Sequence, residues 1–207
     1  MNYSQILDYG RRCQRAKYTH IDNDGDYAIE RDGDTAYLLF EWSDSVVDWK
    51  NNFDFPTKPY KDMGTIWRCH RGFLKVWKSI EPYIADTVKD LTIKKFVIIG
   101  YSHGAAIATF AHEYVWFHRP DLREDGLVGY GFGAPRVYWG FSVADSLKER
   151  WANFYMIKND NDLVTRVPPM IFGFKHVGQI VQINSDAENS IKAHSWDEYE
   201  KGIGENI

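Results

Sequence analysis

The residues most able to do chemistry lie at 100–104, Gly-Tyr-Ser-His-Gly, where Ser102 falls between the apolar run Lys95–Tyr101 and an alanine-rich stretch opening at Ala105. A hydroxyl on a tight strand-to-helix turn is presented to a substrate. Such a turn closes only if the residues two before and two after it are glycine or similarly small. Gly100 and Gly104 meet that demand. Three fixed positions match by chance in roughly 7% of chains this long, so the apolar strand before the motif and the small-residue helix after it give it its weight. A serine hydroxyl is a weak nucleophile until a base takes its proton, and imidazole does this best when a carboxylate fixes its tautomer. The chemistry in view is attack on a carbonyl carbon.

The histidines after Ser102 are His103, His112, His118, His176 and His194. The first three lie in the turn or helix that Ser102 opens, too close to reach back, and read as packing or surface groups, with His103 at the rim of a pocket. On a sheet of this kind the partners follow in the order Ser, acid, His. A strand at 153–158 empties into NDNDLVTRVPP at 159–169, where Asp160 and Asp162 compete for the acid role. His194 precedes a short amphipathic helix and is favoured as the base. His176 lies in an aromatic segment leading into a strand and reads as an ordinary satisfied histidine.

These residues need a scaffold, and the sequence supplies one. A polar helix is expected over 4–17. Residues 26–42 read as two strands joined at Asp32-Gly33, because Asp-Gly supplies the positive φ angles of a tight hairpin. Apolar residues from Phe73 to Leu91 recur at helical spacing, with Pro82 expected to split them into a helix pair. Residues 95–101 form a β-branched run suited to burial on both faces of a parallel sheet. Strand and helix then alternate: helix from Ala105 to 118–120, strand 127–133, helix 142–151, strand 153–158 and a further strand 179–183. That alternation predicts an α/β fold, a mainly parallel sheet with helices on both faces, preceded by an antiparallel N-terminal hairpin.

Size and composition narrow the alternatives. A chain of 207 residues suits one domain, with residues 1–30 as a helical segment of unassigned role. Its 25 Lys plus Arg against 29 Asp plus Glu leave a net charge of −4, so a nucleic-acid partner is not expected. The apolar runs are too short to span a bilayer, and the N-terminal residues lack the apolar core of a signal peptide, which makes the cytosol the expected setting. Cys13 and Cys69 read as unpaired structural thiols. The DNDGD at 22–26 lacks the glycine a calcium loop requires one position after its third acidic ligand, and reads as a turn. His112-Glu113 meets Trp116 where a zinc motif needs its second histidine. Neither a metal nor another cofactor is expected.

Six segments in order resemble the class 3, or fungal-type, lipases of the α/β-hydrolase superfamily: LLFEWSDSVVDWKNNF at 38–53, CHRGF at 69–73, GYSHG at 100–104, GFGAPRV at 131–137, NDLVTRVPP at 161–169 and AHSWDEY at 193–199. The resemblance runs from about residue 36 to 202. It implies a carboxylic-ester hydrolase acting on lipid or short-chain esters, with contact at a lipid surface but no span through one. It places the triad acid on Asp162 and the base on His194. It also implies oxyanion-hole donors at Ser43 and at the N–H of His103. Trp42 stands where that family usually has glycine, and the segment from Phe53 to Trp67, with Pro56, Pro59 and Gly64, reads as a loop rather than a lid helix. A phospholipase A1 or lysophospholipase with the same triad, and an idle hydrolase fold used as a binding module, are the competing readings.

Overall fold

The computed structural model describes residues 2–21, 25–41, 57–61, 63–64, 66–141, 143 and 145–207. The expectations on Trp42, Ser43 and the start of the Phe53–Trp67 segment, and most of the turn at 22–26, lie outside those residues. The first helix, α1 (Tyr3–Arg15), is capped by the Asn2 side chain, which accepts from the N–H of Gln5. Strands β1 (Thr19–Ile21), β2 (Gly25–Asp32) and β3 (Thr35–Glu41) follow, the last two paired antiparallel from Asp26↔Glu41 to Asp32↔Thr35. Their turn carries Gly33 at φ 59°, as the Asp-Gly pair foretells.

Strands β4 (Thr57–Tyr60) and β5 (Trp67–His70) precede a helix, α2 (Arg71–Lys89). The helix pair expected around Pro82 is one continuous helix. Its buried stripe of Trp77, Ile80, Ile84 and Val88 packs on the sheet on both sides of Pro82, and this packing holds one axis through the missing N–H. The loop expected from Phe53 to Trp67 needs a second correction, since β4 lies within it and pairs antiparallel with β5. Tyr60, Met63 and Trp67 are core residues there, and Ile66 stays exposed.

The central strand β6 (Lys95–Tyr101) leads through Ser102 into α3 (His103–His118), followed by β7 (Leu127–Phe132) and β8 (Tyr138–Trp139). The helix expected over 142–151 shrinks to α4 (Asp145–Lys148) and a 3-10 turn at Glu149–Trp151. That turn swings Trp151 into the core, where its indole N–H donates to the Thr109 carbonyl at 2.9 Å. Strands β9 (Phe154–Asn159), β10 (Phe174–Lys175) and β11 (Gln179–Ile183) and helix α5 (Trp196–Gly204) complete the order.

Among the described residues the main sheet has the order β1-β2-β3-β6-β7-β9-β11, parallel from β3 onward. A smaller antiparallel sheet, β10-β8-β5-β4, lies beside it. Strand β6 shows why the main sheet is covered on both faces. Phe96 and Ile98 join the apolar cluster under α2 and α3, while Val97 and Ile99 join the one under α1 and α5. The N-terminal segment therefore has a structural role, covering one face of the sheet. Helix α1 packs on α5, where a Cβ on Gly10 would come within 2.1 Å of the Trp196 ring and Arg11 Nε donates to Glu200 at 2.7 Å.

Candidate active site

The turn that carries Ser102 is built by two close backbone approaches. A Cβ on Gly100 would lie 2.3 Å from the Gly104 carbonyl oxygen, and one on Gly104 would lie 2.1 Å from that of Phe40. Only glycine at both places lets β6, α3 and β3 come this close. The turn puts Ser102 at φ 55° and ψ −123°, backbone that a non-glycine residue rarely adopts. The Ser102 N–H donates to the Phe132 carbonyl at 2.8 Å and pins the turn to β7.

Two later stretches converge on this hydroxyl. His194 ends a 3-10 turn (Lys192–His194) just before α5, and Asp162 lies three residues past β9. Ser102 Oγ is 2.8 Å from His194 Nε2, and His194 Nδ1 is 2.8 Å from Asp162 Oδ2. Asp162 is fully buried and His194 nearly so. With Asp162 ionised, Nδ1 carries the proton and Nε2 turns its lone pair to the serine hydroxyl. Of the candidates in the sequence, Ser102, Asp162 and His194 come together. Asp160 does not, its carboxylate accepting from Gln182 at 2.5 Å. Nor does His176, whose Nε2–H donates to the Thr165 carbonyl at 2.9 Å and whose pKa burial lowers to about 4. Ser43 lies outside the described residues. His103 is buried with its ring 5.0 Å from Phe73.

Several residues around this relay carry no signal in the sequence. Asp162 Oδ1 accepts from the N–H of Val164 at 2.8 Å, and Oδ2 accepts a second bond from the Tyr199 hydroxyl at 2.6 Å. Burial and the neighbouring Asp162 charge push the Tyr199 phenol well above its usual value, so it remains a donor. The Tyr101 ring stacks on the imidazole at 5.4 Å and its hydroxyl donates to the His194 carbonyl. Asn159, at the end of β9, ties the acid's strand to the histidine's segment by donating to Ser185 Oγ at 2.8 Å and to the Ala193 carbonyl at 3.0 Å. Gly133, at φ 64°, forms the floor. A Cβ there would fall 2.9 Å from the imidazole and 3.1 Å from the Asp162 carboxylate.

Comparison with known proteins settles the family. The model for lipase (class 3) matches residues 37–172. The chain belongs to the class 3 lipase family. A secreted mono- and diacylglycerol lipase from Fusarium solani is 33% identical over 138 residues, 64% of this chain and 39% of that protein. A lipase from Rhizomucor miehei is 26% identical over 172 residues, 79% and 46% of the two chains. The matched part thus spans less than half of either relative. Lipase II from Rhizopus niveus shares the fold, with a TM-score of 0.72 at 22% identity over 92% of this chain and 84% of that one. The mainly parallel sheet with helices on both faces is thus the α/β-hydrolase fold of class 3 lipases. No helix among the described residues of this family member is long and apolar enough to cross a membrane. The Fusarium relative is named as secreted, which lends the expected cytosolic setting no support.

The buried histidines of this lipase-family chain carry a pH consequence. Burial lowers His103 and His112 from 6.5 to about 3; the charge of His70 assists at His103, whereas the Arg150 backbone opposes the shift at His112. Both stay neutral in the fold while their unfolded counterparts take up protons below pH 6.5. Their stabilising effect is therefore complete above pH 6.5 and is lost as pH falls toward 3, at about 3 kcal/mol per pH unit for the pair. Urea midpoints are expected to hold between pH 7.5 and 6.5 and to drop steeply by pH 5. Buried His176, lowered to about 4, adds a third proton to the same window, so His112→Gln should remove about a third of the total slope, and an equally steep slope in the variant would assign it elsewhere.

Proposed function

We propose that this chain is a serine carboxylic-ester hydrolase of one domain, acting on lipid or short-chain esters. The observation that carries this reading is the unbroken pair of 2.8 Å contacts from Ser102 through His194 to Asp162. Ser102 Oγ attacks the ester carbonyl carbon as His194 Nε2 takes its proton, and the imidazolium is stabilised by the buried Asp162. Collapse of the tetrahedral adduct expels the alkoxide, which receives that proton and leaves as the alcohol, with the acyl group on Ser102. Water, deprotonated by His194, then releases the acid and restores the serine.

The developing negative oxygen needs donors. The N–H of His103, at the positive end of α3, supplies one, and Ser43 supplies the other in this reading. An idle hydrolase fold has no need of a strained Ser102 held against a buried imidazole–carboxylate pair, which disfavours that reading. A fluorophosphonate probe, which reacts only with an activated serine, provides the test. Mass spectrometry should locate a single adduct at Ser102, and His194→Gln should slow its formation at least about a thousandfold. An unlabelled protein, or an adduct elsewhere, would refute the assignment.

A further inference from the structure

The 3-10 turn Met170–Phe172, eight residues beyond Asp162, is the least expected surface of the molecule. Ile171 is 88% exposed, Met170 62% and Phe172 58%, and Phe141, on the segment paired beside it, is 77% exposed. Three consecutive large apolar residues in water are costly, and a cluster of this kind marks a contact surface.

The projection is firmly held. The Gly173 N–H closes the turn on the Met170 carbonyl at 2.8 Å, and Gly140 donates to the Gly173 carbonyl at 2.7 Å. The Trp139 indole N–H donates to the Phe172 carbonyl at 3.1 Å, while Arg136 braces the base of the turn through the Pro168 carbonyl at 2.9 Å. Gly173 takes φ 85° under the Trp139 ring, where a Cβ would collide at 2.4 Å. Bonds spent inside the turn leave its tip apolar.

The surrounding charge narrows the partner. Residues 126–144 and 163–185 contain no Asp or Glu, and they carry the exposed Arg166 and Lys175 beside the buried Arg136. The Lys175 ammonium lies 5.9 Å from the Phe141 ring, an amphipathic stem beside an apolar tip. The bordering Asp145 is paired to Lys148 at 2.5 Å. Apolar tips on segments that carry Arg166 and Lys175 and no carboxylate of their own fit the head-group boundary of an anionic lipid surface, where the rings and branched chains enter the acyl region and the lysine remains with the phosphates.

We infer that the Met170–Phe172 turn and Phe141 form a docking tip for an anionic lipid surface. The inference rests on the ester-hydrolase reading, since it sets the lipid surface as the place where the substrate is met. The test keeps the two apart by using full-length Ser102→Ala protein, which binds without hydrolysis. Co-sedimentation with phosphatidylcholine–phosphatidylglycerol vesicles should show binding that falls at least about tenfold in Ile171→Asp and in Phe141→Ser. Lys175→Gln should weaken binding to these vesicles and leave binding to pure phosphatidylcholine unchanged. Thermal melts should match the parent for both apolar variants, and whichever remains folded is the one read. In an otherwise wild-type chain, Ile171→Asp should hydrolyse a soluble short-chain ester at the parental rate. Absent vesicle binding, undiminished binding by both variants, or a dimer in sedimentation velocity that Ile171→Asp dissolves would each overturn the docking tip. Failure of the wild-type chain to hydrolyse the soluble ester would overturn the enzymatic reading alone, whereas failure of Ile171→Asp alone would place the turn in the active site and overturn the docking tip.

Discussion

Ser102→Ala is expected to lower turnover of a short p-nitrophenyl ester by at least about a thousandfold while leaving the thermal melt within a few degrees of wild type. The loss follows from the geometry. Among the described residues, the Ser102 hydroxyl bonds to His194 Nε2, and no other hydroxyl shares that contact. The fold should tolerate the change because the close approaches that shape the turn belong to Gly100 and Gly104, and the Ser102 backbone bond to Phe132 survives. Alanine must still take φ near 55°, but so does serine, so the strain is common to both. Fluorophosphonate labelling should vanish in parallel. Residual ester turnover within tenfold of wild type would mean that another group attacks the carbonyl.

How much of this is legible in the sequence depends on the range over which each feature is set. Residues 95–101 and 179–183 match their strands in full, the first as an apolar run buried along its length and the second with only Val181 and Ile183 buried. The Ser102 turn is legible from its spacing, since the demand on Gly100 comes from Gly104 within five residues, whereas the demand on Gly104 comes from Phe40 on β3 and shows only in the fold. His194 follows from chain order and Asp162 from the family resemblance, and the structure sets His194 against Ser102 and Asp162 against His194. Pro82 misleads because a local breaker is outweighed by a buried stripe that only the sheet can reward. The 142–151 helix is shorter than its pattern suggests because Trp151 serves the core better from a 3-10 turn. The second sheet is invisible in the sequence, as strands of two to four residues have no measurable period. Tyr199 and Asn159 escape notice for another reason. Their partners lie 26 to 40 residues away, and polar contacts at that range leave no spacing to read.

Those long-range contacts determine what Asp162→Asn would do. In the wild type, Oδ1 accepts from the Val164 N–H while Oδ2 accepts from both His194 Nδ1 and the Tyr199 hydroxyl. An asparagine has one acceptor oxygen, and the Val164 N–H, fixed in the backbone, demands it at the Oδ1 position. The amide nitrogen is then left facing the imidazole. A donor opposite Nδ1 drives the ring proton to Nε2, so His194 presents a proton to Ser102 where it should offer a lone pair. The Tyr199 hydroxyl rotates to accept from the amide and removes any pull in the other direction. Turnover is expected to fall on the order of 10⁴-fold in a protein that remains folded. Proton NMR should show the far-downfield Nδ1–H resonance of the wild type disappearing. If the variant kept that resonance, or lost less than tenfold in rate, the carboxylate would be holding the loop together rather than setting the tautomer of His194.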